Sequence, residues 1–221
     1  MAAVPWTEKG EASSFDPDCT QCPRLSGHLS DIRDRYPDYH AAPVAPFGPA
    51  RACLLIVGLA PGMHGANATG RPFTGDYAGI LLYRTLHDAG LANRPESLHA
   101  DDGLKLRNCR ITNAVKCLPP ENKPTTGEVR NCNPFLRAEL DSVPRHGVVL
   151  ALGRIAHDAV LRALGCTLRN FPFAHGAEHD IEGERILIDS YHCSRYNTQT
   201  RRLTQSMFRT VIERARDLAA K

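Results

Sequence analysis

Four short runs of near-continuous apolar or β-branched character stand out along the chain: Ala52–Val57, Arg110–Val115, Val148–Leu152 and Arg185–Ser190. Strands buried on both faces read this way. Between them the apolar positions take a helical spacing. Ala78–Ala89 carries Ile80, Leu81, Tyr83 and Leu86 on one stripe and stops before Gly90, and Thr126–Leu140 spaces Val129, Phe135, Leu136 and Leu140. Ile155–Leu164 ends at Gly165, and Thr200–Leu218 carries Leu203, Met207, Val211, Ile212 and Leu218. Strand–helix alternation predicts an α/β fold with a parallel sheet of four strands and helices on both faces. Residues 1–18 lack periodicity and read as a tail, residues 37–52 read as an extended connector, and residues 19–221 read as one domain.

Ligands of such sheets bind outside the carboxyl ends of the strands. That rule singles out the loops after strands one, two and four: Gly58–Asp76, Lys116–Lys123 and His192–Arg202. Composition adds little to this and removes much. With 221 residues, 42% hydrophobic and 23% charged, a folded chain with a sizeable core is expected. A net charge of +3 is no nucleic-acid signature unless the basic residues cluster. No apolar run approaches the roughly 18 residues of a membrane span, and the polar N-terminus has no signal-peptide core, so a cytoplasmic protein is expected.

In a reducing compartment the eight cysteines are poor disulfide candidates, and metal ligation leads. Cys19 and Cys22 form C-x2-C; Cys117 lies just past strand two and Cys132 follows 15 residues later. Four thiolates can enclose structural zinc or an iron–sulfur cluster. Spacing does not separate the two, nor exclude four unrelated buried thiols. Cys53, Cys109 and Cys166 read as small core residues, and Cys193 stays open.

The loop after strand one, GLAPGMHGANATGRPFTGD, holds five glycines between Gly58 and Asp76 but is neither a dinucleotide fingerprint nor a Walker A loop. Its Phe73 could stack on a flat ligand or plug the core. Its Asp76 could face a site, cap the next helix, or do both. Past strand four, His192 begins a polar loop with Arg195, Tyr196, Asn197, Gln199, Arg201 and Arg202. Such arginines and amides suit phosphate contacts, and Tyr196 or Gln199 could push into a base stack.

Three segments in this order, GLAPGMHG…TGRPFTGD, TNAVKCLPP and SYHCSRYNTQTRRLT, together with the four cysteines, resemble the iron–sulfur uracil-DNA glycosylases, family 5 most closely. The resemblance runs from Cys19 to the last helix. It implies a three-layer α/β/α sandwich and a [4Fe–4S] cluster on Cys19, Cys22, Cys117 and Cys132. It also implies Phe73 stacked on an everted base, Asn113 on the base edge and His192 on the uracil O2. Gly58, Leu59 and Ala60 would line the substrate pocket, and Arg195, Tyr196, Asn197, Gln199, Arg201 and Arg202 would meet DNA. Family 4 carries an acid where this chain has Leu59, which fits family 5 and moves the catalytic carboxylate to Asp76.

The chemistry expected from the resemblance is excision of uracil, and of deaminated purines such as hypoxanthine or xanthine, from duplex DNA by a monomer. A base must leave the stack before its N-glycosidic bond can be reached. The expected slot grips the base between the Phe73 and His192 rings. Two rival readings share the cysteines: a redox-sensing nucleic-acid-binding protein without catalysis, and a zinc hydrolase of small molecules.

Overall fold

The computed structural model describes residues 15–220. Most of the expected tail, residues 1–14, lies outside the described residues. The chain enters through helix α1 (Pro23–Arg35), followed by strand β1 (Leu54–Gly58), the short helix α2 (Ala66–Thr69) and α3 (Tyr77–Asp88). Strand β2 (Cys109–Asn113), helix α4 (Thr126–Ser142), strand β3 (Val148–Leu152) and helix α5 (Arg154–Ala163) come next. Strands β4 (Glu178–Ile181) and β5 (Arg185–Ser190) precede the short α6 (Arg195–Gln199) and the closing α7 (Gln205–Ala219).

The sheet has five strands in the order β2-β1-β3-β5-β4. The four expected strands pair in parallel, and β4 adds an antiparallel edge that corrects the four-stranded expectation. Its sequence, EHDI, is polar and edge-exposed, so it carries no continuous apolar signal. Alternation along β1 splits the core into two layers. Leu54 and Ile56 pack with Leu82, Leu86, Phe208 and Ile212 on the α3/α7 side. Leu55 and Val57 pack with Leu25, Leu29, Leu136 and Val160 on the α1/α4/α5 side.

Two helix expectations are revised. Helix α1 buries Leu25, Leu29 and Ile32, an i, i+4, i+7 stripe that a first turn led by Pro23 introduces. The expected Thr200–Leu218 helix starts five residues late, at Gln205, and the separate short α6 precedes it. Arg201 takes a left-handed φ of 57°, and the Thr204 hydroxyl caps α7 by accepting from the Met207 amide at 3.2 Å. The other boundaries hold to within about two residues. Thr125 and Glu128 close a reciprocal capping box at the start of α4.

Candidate active site

The β1–β2 register sets Gly58 directly opposite Asn113 at the carboxyl ends of two central strands. A cavity of about 390 Å³ opens above this pair. Leu59, Ala60, Phe73, Asp76, Asn113, His192 and Arg195 all line it, so three distant segments converge as the motif order predicts. Gly58 lies beneath, and only a residue without a side chain fits there. A Cβ would stand 2.5 Å from Asn113 Oδ1 and 2.6 Å from Phe73 Cζ. Gly65 plays the same part for Asp76, whose Oδ2 would lie 2.7 Å from an added Cβ. The glycines of the loop thus admit side chains of the site rather than phosphates.

Asn113 is buried, and its Oδ1 accepts no hydrogen bond within the protein. A buried, unpaired acceptor costs on the order of 1–3 kcal/mol, and Asn113 also borders the cavity. Phe73 is 6% exposed and packs in the core, as the core-plug expectation has it, and it also walls the cavity. Its backbone sits at a left-handed φ of 54°. Asp76 likewise has both roles. Its Oδ1 accepts from the Gly79 amide at 2.8 Å as the N-cap of α3, while the carboxylate borders the cavity. Burial raises its carboxyl above the usual range, against amide hydrogen bonds that lower it.

The His192 ring is hemmed in by protein, and this burial pushes its pKa down to about 4. It is a neutral imidazole near pH 7 and can donate without carrying charge. The Phe73 and His192 rings lie 6.0 Å apart, centroid to centroid, at 28°. A base clamped between them needs two contacts of about 3.5 Å each, or roughly 7 Å. The sandwich expectation is therefore corrected: the rings adjoin along one wall, and the open volume lies beside them.

The loop after His192 divides its roles. Arg195 lies over the Tyr77 ring at 5.1 Å, Tyr196 is 70% exposed, and Gln199, Arg201 and Arg202 face outward. Asn197 instead turns inward, its Nδ2 donating to the His192 carbonyl at 2.8 Å, so it holds the motif rather than a phosphate. A second cavity of about 420 Å³ shares Leu59 and His192 and adds Arg154, Phe173, Tyr191 and Arg202. Arg202 stacks on Tyr191 at 4.5 Å and Arg154 on Phe173 at 5.9 Å. Among the described residues, Arg154, Arg195, Arg201 and Arg202 form no ion pair with a carboxylate. Cys193 is wholly buried in the core, its thiol pushed up by desolvation.

Cys19, Cys22, Cys117 and Cys132 lie near enough to one another that their thiols interact. Burial pushes Cys117 up to about 12, and the other three thiols add to the rise. Burial raises Cys132 too, against the nearby Lys116, which lowers it. Such a set ionises together only around a cationic group. The donor set is all thiol, which fits a structural metal or an iron–sulfur centre.

Two polar networks that the motifs did not announce hold the site from behind. Arg71 is 4% exposed, and it donates to Asp102, Ser97, Thr74 and the Ala100 carbonyl at 2.5–3.2 Å, pinning the loop that bears Phe73. Burial would raise the Asp102 carboxyl, but Arg71 and the Leu104 and Leu98 amides hold it well below the usual range. Asp189, wholly buried near the end of β5, accepts from His157 at 2.7 Å and His179 at 3.1 Å. The other ring nitrogen of His157 faces the Phe171 carbonyl at 2.9 Å, so both nitrogens donate and the ring is an imidazolium. Burial works against that charge, yet Asp189 raises the pKa above its ordinary value.

The model of the uracil DNA glycosylase superfamily matches residues 45–216. The chain is 48% identical over 206 residues to a type-5 uracil-DNA glycosylase of Thermus thermophilus, covering 91% of this chain and 94% of that protein. It is 44% identical over 201 residues to a type-5 uracil-DNA glycosylase of Pyrobaculum aerophilum, covering 89% and 87%. A type-4 uracil-DNA glycosylase of Saccharolobus solfataricus is 29% identical over 172 residues, covering 75% and 73%.

Proposed function

The chain belongs to the uracil-DNA glycosylase superfamily and acts as a DNA-repair glycosylase, and on that footing we propose how its residues divide the work. A monomer built on residues 19–221 everts uracil from duplex DNA into the 390 Å³ cavity and hydrolyses its N-glycosidic bond. The unpaired, buried Oδ1 of Asn113 carries this reading. Uracil presents an N3–H to such an acceptor; cytosine, with a bare N3, leaves it orphaned. Phe73 offers a flat apolar wall for the base.

The chemistry then follows from where charge develops. The electron pair of the C1′–N1 bond departs with the base, and a water oxygen forms the new bond to C1′. The proton shed by that water passes to the Asp76 carboxylate and on to the uracil anion, leaving an abasic site and free uracil. His192, neutral near pH 7, donates to O2 of the departing anion. One such donor is worth about 2.7–4 kcal/mol of barrier. Asp76, ionised, also faces the positive charge that builds on the sugar. Arg154, Arg195, Arg201 and Arg202, without a carboxylate partner among the described residues, suit phosphates of the bent strand. Tyr196 suits the gap in the stack. Cys19, Cys22, Cys117 and Cys132 would hold a [4Fe–4S] cluster, which would supply a structural crosslink between α1, the β2 loop and α4.

With Leu59 in place of an acid, leaving-group selection rests on hydrogen bonds alone, and we extend the substrate range to hypoxanthine and xanthine. The test is release of free base from duplexes carrying uracil, hypoxanthine or xanthine, alongside Asp76→Ala and His192→Ala. Both variants are expected to slow single-turnover cleavage more than they weaken binding. Release of none of the three bases by the unaltered protein would refute the reading.

A further inference from the structure

Lys116 belongs to no part of the mechanism above, yet it is among the most completely buried charges in the molecule, 2% exposed. Its ammonium donates to Thr112 Oγ1 at 2.5 Å, to the Asn113 carbonyl at 2.9 Å and to Glu139 Oε1 at 2.8 Å. These three acceptors exhaust its three donors. Glu139 is itself buried and comes from α4, seven residues beyond Cys132; its second oxygen has no partner. The main chain of Lys116 is engaged too: its carbonyl accepts from the Val44 amide at 2.8 Å.

A buried ion pair of this kind contributes little net stability over an apolar replacement, because desolvation offsets the attraction. What it does supply is direction. The Asn113 carbonyl closes β2, and the lysine fixes the peptide plane from which the Asn113 side chain rises into the cavity. From the rationale that Asn113 reads the base, we infer that Lys116 is a positioning residue: it sets the base-reading amide and braces it against the cysteine-bearing helix. The short segment Thr112–Cys117 thus joins the reading side chain, the brace and a thiol of the cysteine set.

The experiment compares the full chain with Lys116→Met, Lys116→Met/Glu139→Gln and Asn113→Ala. Four quantities are read: single-turnover release of uracil, inhibition by free uracil, affinity for a duplex carrying a stable abasic-site analogue, and visible absorbance of the purified protein. Lys116→Met is expected to lose about 10- to 100-fold in uracil release, as a misplaced group does. Inhibition by free uracil weakens in parallel, while abasic-duplex affinity and absorbance stay unchanged. The double variant stays slow, because removing the orphaned carboxylate does not restore the peptide plane. Recovery of wild-type release in the double variant would overturn the inference, since Lys116 would then only neutralise Glu139. So would a parallel fall in abasic-duplex affinity and absorbance, the mark of a general structural role. If Asn113→Ala releases uracil at the wild-type rate, the base-reading rationale fails and the inference falls with it.

Discussion

Gly58→Ala isolates the base-reading geometry with a single methyl group. Gly58 is not among the glycines with positive φ, so alanine can adopt its backbone and the effect is steric. The added carbon would stand 2.5 Å from Asn113 Oδ1 and 2.6 and 2.7 Å from two carbons of the Phe73 ring. Ordinary contact is about 3.5 Å, so the neighbours must give by roughly 1 Å. Phe73 cannot retreat. Its ring is buried, and its carbonyl presses on Gly79, where a Cβ would lie 1.7 Å away. Asn113 therefore yields. A displacement of about 1 Å at a reacting centre costs on the order of 100-fold in rate. Overpacking by one methyl costs about 1–3 kcal/mol of stability, or about 2–12 °C in melting temperature for a chain of this length. Single-turnover cleavage of a uracil duplex, read with a thermal melt, tests both. Gly27→Ala is the control: it lies on α1, nothing stands within 4 Å of its added Cβ, and wild-type rate is expected. Wild-type cleavage by Gly58→Ala would refute the argument that Asn113 must sit where it does.

Three further outcomes follow from the electrostatics. The rate is expected to be flat from about pH 6 to 8, because His192, held to about 4, is already neutral there. His192 gains a proton only at lower pH, so a limb centred near 6.5 that His192→Ala abolishes, measured by single-turnover cleavage, would contradict this. Asp102→Ala leaves the buried Arg71 guanidinium unpaired and should cost about 3–5 kcal/mol, read as a drop of about 6–20 °C in melting temperature. His157 has a raised pKa, so its contribution to stability is complete below about pH 6.5 and is lost as pH rises through its folded-state value. Denaturant midpoints should diverge between wild type and His157→Gln below pH 6.5 and converge above it; a constant gap would argue against the imidazolium.

Much of the site was legible because the residues that do chemistry sit next to residues that end strands. Gly58 and Asn113 close β1 and β2, His192 lies just past β5, and a parallel sheet sends all such ends to one edge. The residues that were missed act at long range. Asp102 meets Arg71 across 31 positions, His157 meets Asp189 across 32, and Lys116 meets Glu139 across 23. Nothing local in any of these six distinguishes a buried partner from a solvated charge.

Hydrophobic periodicity by itself determined the parallel strands, most of the helices and the edge of the sheet where ligands bind, since those follow from spacing along the chain. Tertiary structure alone decided the antiparallel β4 edge, the break at Arg201, and that Phe73 and His192 share a wall rather than facing across a slot. It also decided which polar groups are paired inside and which are left open for a ligand. Pairing depends on distances between segments that the chain brings together only when the core closes. Asn113 Oδ1 is left unpaired for that reason, while Asn197, the same residue type, is spent on the His192 carbonyl.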